Sequence, residues 1–139
     1  VVPDHTLEAA PAPDILVIPG GVVDQELQDS QLLSWVLRSS QNAKVTASVC
    51  TGSFILAKAG LLGGKTATTH WEDLADLRTQ FPDVQVREGV RWVDEGAIVT
   101  SAGIAAGIDM SIHLVSRFAG SQLAEATARQ MDVAYRAEA

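Results

Sequence analysis

The sequence predicts an α/β fold: an open, mostly parallel sheet sandwiched by helices on both faces. Three observations carry that prediction. Apolar runs of strand length alternate with stretches of helical periodicity along the 139 residues. The first run, Asp14-Ile15-Leu16-Val17-Ile18, is continuously apolar after its acid and stops at Pro19-Gly20-Gly21, which suits a strand buried on both faces. Strands separated by helices call for parallel pairing, because parallel neighbours need a crossover. With 47% hydrophobic and 19% charged residues, and Pro and Gly dispersed rather than clustered, residues 1–139 are expected to form a single domain around one core.

Each element follows from a local pattern. Leu32, Leu33, Val36 and Leu37 recur at helical spacing behind Ser30 as N-cap, predicting a helix over 30–40. Lys44 to Val49 reads as the next strand. Thr51 to Ala59 reads as a helix stopped by Gly60. Thr66 to Thr68 is a third short strand, and Thr69-His70-Trp71-Glu72 has the form of a capping box, opening a helix with Trp71, Leu74 and Leu77 on one side. Val84–Val86, Val90–Val93 and Ala97–Thr100 read as short strands, the last two joined by a hairpin turn at Asp94-Glu95-Gly96. A long helix follows with Ile104, Ile108, Ile112, Val115 and Phe118 as its apolar stripe, then a final helix over 121–131.

In an open sheet of this kind ligands bind beyond the carboxyl ends of the strands. Pro19-Gly20-Gly21, Val49-Cys50-Thr51 and Ser101-Ala102-Gly103 converge there. Ser48-Val49-Cys50-Thr51-Gly52 carries the chain's only cysteine with small residues two before and two after it, as a strained strand-to-helix elbow requires of its nucleophile. At a helix start the macrodipole favours thiolate over thiol. The N–H groups of Thr51 and of Gly21 could there form an oxyanion hole. The residues leave a second reading open, since free cysteine is among the most buried residue types and serves as a small apolar filler.

His70, at a helix start on the same edge, is the histidine best placed to partner Cys50 as a neutral base or hydrogen-bonding group; a solvent-facing residue at a helix end is the alternative. His113 and His5 read as structural, and three histidines with one cysteine show no metal-ligand spacing. Gly63-Gly64-Lys65-Thr66 holds only a fragment of a phosphate loop and reads as a turn, whereas Gly103 to Gly107 reads as close packing near the site. Asp73, Asp76, Asp94 and Glu95 read as a solvated surface.

A net charge of −7 argues against nucleic acid as a direct partner, since such binding rests on clustered Lys and Arg. No apolar run is long enough for a membrane span, and no basic start precedes an apolar segment. A single cysteine allows no internal disulfide, which fits the cytoplasm. The first residue is Val, so the start could be a processed or truncated end.

Three stretches carry a resemblance to a known family: DILVIPGG at 14–21, SVCTGSFILAKAGLLGGKTATTHW at 48–71 and TSAGIAAGIDMSIHLV at 100–115. In order and together they resemble the ThiJ/PfpI superfamily, a branch of the class I glutamine amidotransferase-like fold. The Cys-Thr-Gly form and the TTHW segment look most like isonitrile hydratases and the amidase-like domains of AraC-type regulators. The resemblance implies a flavodoxin-like sandwich, usually a homodimer, with Cys50 on the elbow, Gly21 and Thr51 as oxyanion-hole donors and His70 nearby. Superfamily proteases often carry His directly after the nucleophile; Thr51 stands there instead, which agrees with the hydratase pattern. That pattern also expects an upstream strand and an acid that hydrogen-bonds the cysteine, so the sequence is expected to lack its first strand–helix unit, and neither Asp4 nor Glu8 fills the acid's role. Implied functions are cofactor-free hydration of a small isonitrile to an N-substituted formamide, small-molecule sensing ahead of a DNA-binding module for which 139 residues leave no room, or a stress response through oxidation of Cys50.

Overall fold

The computed structural model describes residues 2–139. In chain order its elements are β1 (Ile15–Ile18), α1 (Ser30–Asn42), β2 (Val45–Val49), α2 (Gly52–Lys58), β3 (Thr66–Ala67), α3 (Leu74–Gln80), β4 (Gln85–Val86), β5 (Trp92–Asp94), β6 (Ile98–Ser101), α4 (Ala106–Ala119) and α5 (Ser121–Gln130). β1 pairs in parallel with β2, Ile15 opposite Val45, and β2 in parallel with β6, Thr46 opposite Ile98. β5 joins β6 antiparallel, giving the order β1-β2-β6-β5. The turn between these two strands is held by Asp94, whose carboxylate accepts the Gly96 N–H at 2.8 Å.

Alternation along the strands divides the core. Leu16, Ile18 and Ile98 point to the face covered by α1 and α2, where they meet Val36, Phe54 and Leu56. Val45, Ala47 and Val99 point the other way, toward Met110 and Leu114 of α4. α5 packs against α4 through Ile112, Ala124 and Ala128. Fully burying such side chains contributes about 1.5–3 kcal/mol each, so these two layers hold the sheet. The end of α2 follows its sequence signal closely. Gly60, at φ +84, lets its own N–H reach Ala57 O and the Leu61 N–H reach Leu56 O, both at 3.0 Å, and so satisfies carbonyls the helix leaves open. Among the described residues no helix is long and apolar enough to cross a membrane.

Four expectations are corrected. Asp29, not Ser30, caps α1: its carboxylate accepts the N–H of Gln31 at 2.9 Å and of Leu32 at 3.0 Å, and Ser30 is already helical. β1 is not buried on both faces. It lies at the sheet edge beyond the cover of α4, leaving Ile15 41% and Val17 49% exposed while Leu16 and Ile18 are buried. The third short strand does not join the main sheet, because β3 pairs in parallel with β4 in a two-stranded sheet of their own. The apolar stripe of α4 is also out of phase. Ala106, Met110 and Leu114 face the sheet, whereas Ile104 is 81% exposed and precedes the helix. Both stripes have helical period, and Gly107 decides between them: a Cβ there would lie 2.7 Å from Val49 Cγ1, so the helix approaches the sheet on its glycine side.

Candidate active site

β2 ends at Val49 and α2 begins at Gly52, which leaves two residues to reverse the chain. Cys50 takes the strain, with φ +56, a region that costs a non-glycine residue about 1–2 kcal/mol. Its backbone is held on both sides. The N–H donates to Ser101 O at 3.1 Å, and the carbonyl accepts from Ser53 N at 3.3 Å, Ser53 Oγ at 3.2 Å and Thr69 Oγ1 at 3.0 Å. The elbow is pressed against the end of β1. A Cβ on Gly20 would sit 2.8 Å from Cys50 Cβ, and one on Gly52 would overlap Ile18 O. Gly52 of the sequence pattern, and Gly20 of the facing turn, are therefore steric requirements of this turn.

Thr51 ties the elbow to the glycine turn. Its hydroxyl accepts the Gly21 N–H at 2.9 Å and donates to the Gly21 carbonyl at 2.7 Å. The Gly21 N–H, expected to serve an oxyanion hole, is thus engaged by Thr51 in this arrangement. Among the described residues nothing accepts from the Thr51 N–H. A cleft of about 280 Å³ opens beside Thr51, lined by Val22, Asp24, Leu27, Phe54, Asp73 and Asp76 among others.

His70 meets the elbow from a different segment. It precedes a single 3₁₀ turn, Trp71–Asp73, that leads into α3. Ring and thiol flank the same point: a Cβ on Gly103 would overlap His70 Cδ2 and lie 3.1 Å from Cys50 Sγ. Glycine at 103 is what lets the two side chains share that space. The imidazole Nδ1 lies 3.4 Å from Asp73 Oδ2 and 3.9 Å from Glu72 Oε2.

The predicted capping box does not form. Thr69 gives its hydroxyl to the Cys50 carbonyl, 19 residues back in the chain, rather than to the helix start, and Trp71 is 71% exposed instead of packing beside Leu74 and Leu77. Three of the acids read as solvated surface have partners, one of them Glu95, whose carboxylate accepts the Thr66 N–H at 3.0 Å. Asp73 stands against His70, and its i+3 spacing from the histidine is the signal that sequence reasoning passed over. Asp94 receives His113 Nε2 at 2.7 Å and Arg117 Nη1 at 3.1 Å. Burial pushes the Asp94 carboxyl up, but the His113 and Gly96 hydrogen bonds and the Arg117 charge outweigh it and hold it below its ordinary value. His113, read as structural, stacks on Trp92 at 5.1 Å between ring centroids, and His5 is exposed. Among the described residues no cluster of His, Cys, Asp and Glu has the makings of a metal site.

Comparison with known proteins bears on this geometry. The model of the DJ-1/PfpI family matches residues 1–117. An isonitrile hydratase of Pseudomonas putida is 37% identical over 133 residues, spanning 95% of this chain and 57% of the hydratase. The HTH-type transcriptional regulator GbdR of Pseudomonas aeruginosa is 34% identical over 126 residues, 91% of this chain and 34% of the regulator. Among solved structures, a ThiJ/PfpI family protein from Pseudomonas syringae superposes with a TM-score of 0.84 at 31% identity, covering 95% of this chain and 55% of that one. The chain therefore spans little more than half the length of the hydratase, and about a third of the regulator, that it matches.

Proposed function

The chain belongs to the DJ-1/PfpI family, and from that premise we propose that it is an isonitrile hydratase-like enzyme, adding water to a small isonitrile to give an N-substituted formamide through Cys50. The single observation that carries this reading is the strained elbow, Cys50 at φ +56 directly before Thr51, in a chain 37% identical to an isonitrile hydratase. The Cys50 thiolate attacks the terminal carbon of R–N≡C, and that carbon takes a proton, giving the thioimidate R–N=CH–S–Cys. Water then adds to the same carbon while the nitrogen takes up a proton. The tetrahedral carbon expels the thiolate, and R–NH–CHO leaves, so the sum is one water added and no redox change. His70, beside the thiol, carries the protons between these steps. The Thr51 N–H steadies the charge that develops on the adduct, joined by Gly21 when its bond to the Thr51 hydroxyl opens. The scheme calls for no cofactor, and with it go a homodimeric state and a cytoplasmic location.

Hydration of a simple alkyl isonitrile, followed by formamide release, tests the reading. Cys50→Ser is expected to abolish turnover by the parent protein; full retention refutes the nucleophile. The 34% identity to a transcriptional regulator favours one second reading, a sensor domain that binds small molecules in the same cleft without turning them over. Calorimetric binding of an alkyl isonitrile or formamide with no product formed would select that reading.

A further inference from the structure

Resting on the reading of Cys50 as nucleophile and His70 as its partner, we propose that Asp73 is the positioning residue for His70, holding the imidazole at Nδ1 so that the opposite ring edge faces the thiol. The arrangement is built into the local backbone. His70 precedes a 3₁₀ turn in which the Asp73 N–H donates to the His70 carbonyl at 2.9 Å, and this returns the Asp73 side chain to the histidine three residues back. Oδ2 then lies 3.4 Å from Nδ1. On the far edge of the ring, Cδ2, with Nε2 bonded to it, is turned to Gly103, where the Cys50 Sγ also lies. A carboxylate beside one ring nitrogen attracts its N–H and so biases the orientation of the imidazole.

The ionisable groups that face this ring are Glu72 and Asp73 from its own turn and the Cys50 thiol from the elbow. Exposure separates the two acids. The Asp73 side chain is 33% exposed and the Glu72 side chain 62%, with Glu72 also the more distant at 3.9 Å. Solvent screens the Glu72 charge more strongly, so Asp73 is the acid that acts on the ring. Asp73 also lines the cleft beside Thr51.

Alkylation of the lone cysteine by iodoacetamide reads the thiolate directly: sulfur displaces iodide, and no enzymatic turnover is needed. Rates are measured across pH for the parent, Asp73→Asn, Asp73→Glu, Glu72→Gln, His70→Gln and the double variant His70→Gln/Asp73→Asn, with thermal melts as the folding control. Asp73→Asn is expected to slow alkylation at neutral pH by roughly three- to tenfold and to change the pH profile. Asp73→Glu should recover most of the rate, and Glu72→Gln should change it by less than about twofold. In the His70→Gln background the Asp73 substitution should have no further effect. A parent-like profile for Asp73→Asn, or an equal loss with and without His70, overturns the proposal. If Asp73→Asn does not fold, Asp73→Ser is the second neutral variant, read the same way. Failure to hydrate isonitriles alongside an intact Asp73 dependence overturns the proposed substrate and leaves the positioning role standing.

Discussion

Gly52 is the position where the structure makes its sharpest demand, and Gly52→Ala is the perturbation that tests it. Alanine in place of glycine at a helical position gains about 1 kcal/mol in propensity. Here the added Cβ overlaps Ile18 O and lies 2.9 Å from Pro19 O. The Ile18 carbonyl cannot swing aside freely, because Ile18 is in register with Ser48 in the sheet. Relief therefore requires α2 to back away from β1, which loosens Phe54, Ile55 and Leu56, all buried. Forced shifts of this kind cost about 1–3 kcal/mol, and partial loss of the packing of these three side chains adds about 1–2 kcal/mol. After the propensity gain the net loss is about 1–4 kcal/mol, or roughly 3–14 °C in Tm for a domain of this size. Paired melts by circular dichroism or calorimetry measure it. A Tm equal to or above that of the parent would show that the elbow does not depend on this contact.

Two further outcomes follow from contacts at the site and away from it. Gly103→Ala sets its new Cβ against a ring that can rotate toward solvent, so Tm should move by less than about 2 °C while alkylation of Cys50 slows several-fold as His70 is displaced; an unchanged alkylation rate would refute the shared space. Asp94, held below its ordinary value of 3.8, contributes stability that is present above that pH and lost as pH falls through its folded value. Asp94→Asn should therefore cost about 1–2 kcal/mol at pH 7, and denaturant titrations should show parent and variant converging below about pH 4. A constant gap down to pH 3 would contradict that assignment.

What the sequence made legible was local. The small residues around Cys50 announce a tight strand-to-helix turn because the steric demand falls on neighbours two positions away. Gly60 announces the end of α2 for a similar reason. Less could be read where two local patterns were equally good and tertiary contact chose between them. α4 carries apolar residues on two faces, and the approach of Gly107 to Val49 picks the one that meets the sheet, while Ile112 on the other packs against α5. The Thr69 hydroxyl has a plausible helix cap in sequence but finds the Cys50 carbonyl in space. β1 has the composition of a strand covered on both faces, yet it lies at the edge, and position in a sheet is a property of topology rather than of a four-residue run. Asp73 had the spacing to meet His70, but a spacing of three is shared by many solvated acids, and the 3₁₀ turn that brings the two together is not written in composition.

The left-handed backbone at Cys50 separates what folding favours from what the chain keeps. Glycine adopts φ +56 freely, so for folding alone it suits this position at least as well as cysteine. Cys50→Ser and Cys50→Ala retain the same unfavourable conformation, and each changes the chemistry without changing the strain. Those two variants therefore form matched controls, in which lost reactivity is read free of lost stability. Cys50→Gly gives up reactivity and strain together. Asp132 shares the left-handed region at φ +57 in the turn after α5, so strain alone does not mark a reactive position, and the matched variants are what separate the side chain's role at Cys50 from the backbone's.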